Sequence, residues 1–139
     1  PPEALEPRRV VQRLAMADPF LRAYDDNGDK DAFRQAAFFL LDWQSYHQSQ
    51  RRLTPHSWDT DAAEGRMARL AYILSASENT PALLPTENIQ SLIALADFHI
   101  RRAADPVYGF DTNPAESPAV QSLCAVLDKL PSCPLRSLQ

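Results

Sequence analysis

The sequence is organised around one helix-forming segment, which reads His56-Ser-Trp-Asp-Thr-Asp-Ala-Ala-Glu-Gly-Arg-Met-Ala-Arg-Leu-Ala-Tyr-Ile-Leu74. Ser57 is a residue type that caps helix N-termini, and the acidic residues after it stand where the helix dipole favours negative charge. Apolar residues then recur at intervals of three and four and form a core-facing stripe: Ala63, Met67, Leu70, Ala71 and Leu74. The segment therefore predicts an amphipathic helix that begins at Ser57.

A second stripe of the same helix combines an aromatic residue with two guanidinium groups: Trp58, Ala62, Arg66, Arg69 and Ile73. Two interpretations of this stripe remain open. The arginines can extend along the surface and pair with Asp and Glu, as long cationic side chains commonly do. Alternatively, this end of the helix faces an anionic ligand, for which planar guanidinium groups are well suited.

The N-terminal quarter of the chain predicts one helix and two turns. Helical spacing of apolar residues runs from Pro7 to Asp18, where Pro19 should end the helix. An aromatic turn is expected next, at Phe20, Leu21 and Tyr24. The acidic run Asp25–Asp31 is predicted as a solvated turn around its Asn-Gly pair. The turn is favoured over a calcium loop, because an EF-hand needs Gly at its sixth position and Glu at its twelfth, where this run has Lys30 and Ala36.

Three more helices are predicted, separated by polar or proline-rich connections at 48–56, 75–85 and 104–116. The first runs from Phe33 to Gln50 and should be the most buried. Thr86 should cap the next, whose apolar stripe carries a half-buried His99 at its edge. The last begins at Ser117-Pro118, a cap followed by a first-turn proline, and should stop before Pro131.

The pattern as a whole predicts an all-α fold, because no strand-like alternation of useful length occurs. We expect one domain over 1–139, part of a larger protein, built as an antiparallel bundle of four long helices plus the N-terminal helix. The predicted core consists of Phe33, Ala37, Leu40, Met67, Leu70, Leu74, Leu92, Ile93, Ala96, Leu123 and Leu127.

Composition excludes some functional classes. The net charge of −4 gives no basic footprint for nucleic acid, and no apolar run approaches the roughly 20 residues of a membrane span. The two cysteines form no metal-binding spacing with histidine, so neither a metal nor a cofactor is expected. Cys124 falls on an apolar stripe and is predicted to be a buried thiol, with a disulfide to Cys133 as the alternative.

Alternating helix directions would bring the connections at 48–57 and 104–116 to the same end of the bundle, opposite the acidic turn. That end would also carry Arg101 and Arg102, which close the preceding helix. Something anionic, or a partner surface, should bind there. The candidate ligand-binding residues are Arg51, Arg52, Leu53, His56, Trp58, Arg66, His99, Tyr108 and Asn113.

Four motifs follow one another in the chain. Trp58 precedes Arg66 by eight positions, and His99 follows about one helix pair later. The segments Ala103-Ala-Asp-Pro-Val-Tyr108 and Thr112-Asn113-Pro114-Ala115 come next. Their order over residues 38–131 resembles the α-helical toroid domain of the heparinase II/III family of polysaccharide lyases, which carries Thr-Asn-His-Gly at the last position.

The resemblance implies an uronate-binding site and a bacterial, periplasmic or secreted protein. In the family, the Asn and His of Asn-His-Gly neutralise the uronate carboxylate, and a later Tyr acts as acid or base. Only Asn113 carries over, because Pro114 stands in place of the His and the later groups would lie beyond residue 139. We therefore expect no catalytic set, and no lyase activity from this chain alone.

Two functional hypotheses follow from the sequence. The first is an incomplete lyase-like domain that binds an acidic polysaccharide. The second is a targeting or interaction module of a bacterial secreted protein. Its Arg51–Trp58 tip would offer Arg51 and Arg52 to anionic phospholipid headgroups or a protein partner, while Leu53 and Trp58 insert.

Overall fold

The computed structural model describes residues 13–50, 58–107 and 109–129, with the backbone alone for residues 47–50, 128 and 129. Within these residues the protein is all-α, as predicted, and contains no strand. Its α-helices are α1 (Asp18–Asn27), α2 (Lys30–Gln50), α3 (Thr60–Asn79), α4 (Thr86–Ala103) and α5 (Pro118–Lys129). Short 3-10 helices lie at Ala15–Ala17 and Pro114–Glu116.

The first helix corrects the prediction for the N-terminal quarter. Asp18-Pro19 begins α1 instead of ending a helix, because a proline in the first turn lacks only an N–H that has no partner within the helix. The residues predicted as an aromatic turn therefore lie on α1. The predicted turn after them is confirmed in a shorter form, since Gly28 closes α1 with a φ of 69° and α2 begins at Lys30. Residues 1–12 lie outside the described part.

The central helix α3 is shifted relative to its prediction. Its N-cap is Asp59, so Ser57 lies before the helix and outside the described residues. At the other end α3 continues beyond Leu74 to Asn79, with the hydroxyl of Ser77 donating to the Ile73 carbonyl at 2.8 Å. The next helix differs less, because Pro85 is its N-cap and Thr86 is its first residue.

The helices pack in two layers. Arg34 donates to the Leu83 carbonyl just before α4, and the rings of Trp43 and His99 lie 5.5 Å apart, so α2 and α4 run parallel. In the other layer Asp18 pairs with Arg69 near the start of α1, and Tyr24 lies by Thr80 beyond the end of α3. These contacts make α1 and α3 parallel.

The fifth helix extends the layer of α1 and α3. Ser117, just before α5, donates to Glu64 near the start of α3, and α3 and α5 pack against each other from there. By these contacts α1, α3 and α5 share one direction, while α2 and α4 share the opposite one. Trp43 lies in the second half of α2, away from the acidic turn at the start of this helix.

The core follows the predicted apolar stripes. Every predicted core residue is buried except Ile93, which is half-buried. The predicted cap at Ser117 is also confirmed, with its Oγ accepting from the Val120 N–H at 3.4 Å. Cys124 differs from its predicted state, because it is disulfide-bonded and not a thiol. Cys133 lies outside the described residues.

Candidate functional site

The structure brings three of the predicted site residues together at one end of the helices. Trp58 lies before α3, Arg66 two turns into it, and His99 near the end of α4. The Trp58 and His99 rings are 4.7 Å apart, and the Arg66 guanidinium carbon lies 4.9 Å from the Trp58 ring centroid. A fourth residue, Trp43 of α2, completes the cluster, with its ring centroid 4.1 Å from the same carbon.

Arg66 is a core residue, which neither interpretation of the second stripe predicted. Its side chain is 0% exposed, and burial lowers the pKa of Arg66 from 12.5 to about 9. The guanidinium therefore remains protonated at neutral pH inside the protein. The two indole rings, both within 5 Å of the guanidinium carbon, supply cation–π attraction, which is worth about 2 kcal/mol or more when the cation is desolvated.

His99 is also completely buried, although a half-buried position was predicted. Its Nε2 lies 2.9 Å from Nε of Arg66, which can only donate, so Nε2 accepts this hydrogen bond. Its Nδ1 lies 2.9 Å from the Leu95 carbonyl and donates to it. These two bonds define a neutral imidazole with the proton on Nδ1.

The solvent-facing part of the site consists of other side chains. Trp58 is half-buried, and Phe98, packed edge-on against it at 5.6 Å, is 54% exposed. The guanidinium carbon of Arg102 lies 5.1 Å from the Trp58 ring centroid. Two cations from different helices therefore flank one indole ring, and together they create a positive potential at its exposed edge. We call Trp58, Phe98 and Arg102 the aromatic rim.

The remaining predicted site residues divide into two groups. Asn113 is exposed, and its side chain accepts from the Ala115 N–H at 3.0 Å to cap the 3-10 helix Pro114–Glu116. The nearby Asp111 N–H donates to Thr60 Oγ1, which fixes this loop at the start of α3, as predicted. The other group lies outside the described residues: Arg51, Arg52, Leu53, His56 and Tyr108.

The second arginine of the predicted stripe belongs to a different surface. Arg69 forms a two-bond pair with the Asp18 carboxylate at 2.9 and 2.7 Å and donates to the Gly65 carbonyl at 2.8 Å. It lines a groove of about 730 Å³ between α1, α3 and α5, with Asp25, Glu64 and other charged residues of both signs. This arginine fulfils the expectation of pairing with an acidic residue.

Sequence reasoning missed Trp43 and Phe98 as members of the site. Trp43 continues the apolar surface of α2, and its polar ring N–H was the one indication of a further role. Phe98 lies off the apolar stripe of α4 and directly before His99. The sequence alone does not show that Phe98 is exposed and His99 is buried. That distinction requires knowing which face of α4 packs against the core.

Other site classes find no support in the part of the chain that the structure covers. No group of three or more His, Cys, Asp or Glu side chains there could hold a metal ion. No helix in the same ranges has both the length and the apolar character needed to cross a bilayer. In comparisons with protein-family models, curated proteins and solved structures, none matches this chain.

Proposed function

We propose that this chain is a non-catalytic or incomplete helical domain related to polysaccharide lyases, and that it binds an anionic glycan at the aromatic rim. The proposal rests mainly on one observation. The half-buried indole of Trp58 lies within about 5 Å of two guanidinium carbons, those of Arg66 and Arg102. Of these two arginines, Arg66 is buried and Arg102 reaches the surface.

The chemistry of an acidic sugar suits this arrangement. A uronate presents a flat carboxylate, which a guanidinium can bind through two parallel hydrogen bonds. The same sugar presents an apolar face of C–H groups, which packs on an aromatic ring. Arg102 and Trp58 offer these two functions side by side, and the positive potential of Arg66 behind the ring adds long-range attraction.

The overall packing is compatible with the same proposal. Consecutive helices from α1 to α5 alternate in direction, so they form helical hairpins. The disulfide at Cys124 supports an oxidising compartment, in keeping with the periplasmic or secreted location that the resemblance implies.

The loop at Asn113 supports the absence of a complete catalytic set. The side-chain oxygen of Asn113 caps the 3-10 helix Pro114–Glu116, and Pro114, which stands in place of the histidine, can offer no side-chain donor. β-Elimination requires donors that stabilise an enolate as the α-proton is removed. A binding role therefore fits this loop better than catalysis.

Binding can be tested with heparan sulfate and alginate oligosaccharides by titration calorimetry. Removing one charge-assisted contact should weaken binding by about tenfold or more in Arg102→Gln. The matched control is Arg101→Gln, since Arg101 is the neighbouring arginine, is largely exposed and pairs with Asp97. Equal loss in both variants, or no binding by the parent to either polymer, would refute a specific site at the rim.

A targeting role is the second candidate, and the exposure of Phe98 beside Trp58 favours it. Two aromatic side chains at one face can enter the interfacial region of a bilayer while arginines contact lipid headgroups. Co-sedimentation with phosphatidylserine vesicles that is lost in both Arg51→Glu/Arg52→Glu and Leu53→Asp would favour this role. A protein that ignores vesicles but binds acidic oligosaccharides through Arg102 would favour the first.

A further inference from the structure

Arg66 occupies a position that packing alone would fill at lower cost with an apolar side chain. A buried guanidinium gives up its hydration, and replacing buried ionic groups with apolar residues of similar volume is often neutral or stabilising. Arg66 nevertheless lies at 0% exposure between two indole rings. We therefore expect Arg66 to contribute by fixing the positions of the side chains around it.

The indole of Trp58 has few fixed points of its own. Trp58 precedes α3, so no helical backbone sets its direction. Its buried Nε1 has no hydrogen-bond partner among the described residues. Its ring orientation therefore depends on ring and cation contacts. The rings are those of Trp43, Phe98 and His99, and the cations are the guanidinium groups of Arg66 and Arg102.

A chain of directed contacts links that ring to the backbone of α4. The Leu95 carbonyl accepts from Nδ1 of His99, whose Nε2 accepts from Nε of Arg66. The first bond fixes the histidine tautomer, and the second fixes the position of the guanidinium, whose carbon lies within cation–π distance of both indoles. Each of these hydrogen bonds is directional, whereas an aliphatic side chain in place of Arg66 would make no directional contact.

We propose that Arg66 is a positioning residue, which together with His99 holds the indole of Trp58 in the orientation that presents its exposed part to an acidic sugar. This inference rests on the proposed function. Arg66 itself does not touch the ligand, because it is completely buried. It acts through Trp58, in contrast to Arg102, which acts at the surface of the same ring.

The ring can be observed without any ligand by fluorine NMR of the protein labelled with fluorotryptophan. Trp43 and Trp58 are the two tryptophans of the sequence, so Trp43→Phe assigns the Trp58 signal. We expect one sharp Trp58 resonance in the parent. In Arg66→Met this resonance should shift or broaden, while Arg66→Lys, which keeps the charge without the stacking plane, should not restore it.

Two further variants separate positioning from general loss of stability. Leu127→Ala lies in the core on α5, so it should lower the unfolding midpoint yet leave the Trp58 resonance in place. His99→Gln keeps Arg66 and should disturb the resonance even if Arg66→Met does not fold. An unchanged Trp58 resonance in folded Arg66→Met or His99→Gln would overturn the proposal.

Glycan titrations of the same variants add a second readout. Affinity for the oligosaccharide should fall about tenfold in Arg66→Met, approaching that of Trp58→Ala, and should be unchanged in Leu127→Ala. Unchanged affinity in Arg66→Met would also overturn the proposal. If the parent binds no glycan while the Trp58 resonance responds as expected, the ligand assignment fails and the control of the ring by Arg66 stands.

Discussion

The Nε–H group of Arg66 donates a hydrogen bond to Nε2 of His99 at 2.9 Å, and both side chains are completely buried. The pair joins α3 to α4 at the end where Trp43 and Trp58 pack. It is a polar connection between two buried side chains in a largely apolar core. The site therefore has two parts. Arg66 and His99 are buried and fix the positions of the rings around them, and the aromatic rim faces solvent.

The core assignment can be tested by truncation in α3. Leu70→Ala removes a completely buried side chain and should lower the free energy of unfolding by roughly 2–5 kcal/mol. Glu78→Ala on the same helix is exposed and should change it by less than about 0.5 kcal/mol. Urea unfolding of both variants measures the difference. A loss below about 1 kcal/mol for Leu70→Ala would show that the face of α3 carrying Leu70 is not in the core.

The pairing of Arg69 with Asp18 should contribute to the docking of α1. Because the Arg69 side chain is 13% exposed and the carboxylate 38% exposed, solvent screens the pair only partly. We expect Asp18→Asn to cost about 1 kcal/mol in unfolding free energy. The matched control is Asp61→Asn, whose partner Arg13 is more exposed and whose loss should be a few tenths of a kcal/mol. Equal losses would contradict a special role for Asp18.

Tyr72 should titrate late in the folded protein. Burial of its hydroxyl, followed by the hydrogen bond to Asp25 and the charge of that carboxylate, raises the pKa of Tyr72 from 10.0 to about 12. Since the folded pKa is the higher one, this tyrosine stabilises the protein below about pH 10, and the contribution is lost as pH rises through 12.

An alkaline titration of phenolate absorbance measures this shift. One of the four tyrosines should ionise near pH 12, and Tyr72→Phe should remove that late step. Asp25→Asn should move it toward the ordinary value while keeping the ring. A late step of undiminished size in Tyr72→Phe would show that another tyrosine produces it.

Much of this helical architecture could be predicted from hydrophobic spacing. The stripe from Ala63 to Leu74 and the Ser117-Pro118 start of α5 are local signals, and the structure contains both. The beginning of α1 could not be predicted, because proline is compatible with the end of one helix and with the first turn of another. Propensity rules alone cannot choose between them at Asp18-Pro19.

The site was predictable only in part. Spacing placed Trp58 and Arg66 on one face of the predicted central helix, and the assumption of alternating helix directions brought that face near the end of α4. Burial of Arg66 was not predicted, because guanidinium groups are mostly exposed. The decisive contact comes from Trp43 on another helix, and side chains that meet across two helices leave no periodic signal within either segment.

Catalytic competence is a separate question with a simple assay. Incubated with heparan sulfate or alginate, the chain should produce no rise in the absorbance of unsaturated sugars, because Pro114 stands where the resembling family has a histidine. Asn113→Ala should leave this flat baseline unchanged. Steady product formation by the parent that disappears in Asn113→Ala would show that the catalytic set is complete after all.

The most direct test of glycan binding at the aromatic rim uses Trp58 as its own reporter. The emission of the parent protein, in which Trp58 is one of two tryptophans, can be followed while an oligouronate is added, so that the contact of Trp43 with Trp58 is kept. We predict a saturable change in emission that is weakened about tenfold by Arg102→Gln and preserved in Arg101→Gln. A flat titration in protein shown to be folded by circular dichroism, or identical curves for the two arginine variants, would contradict the account.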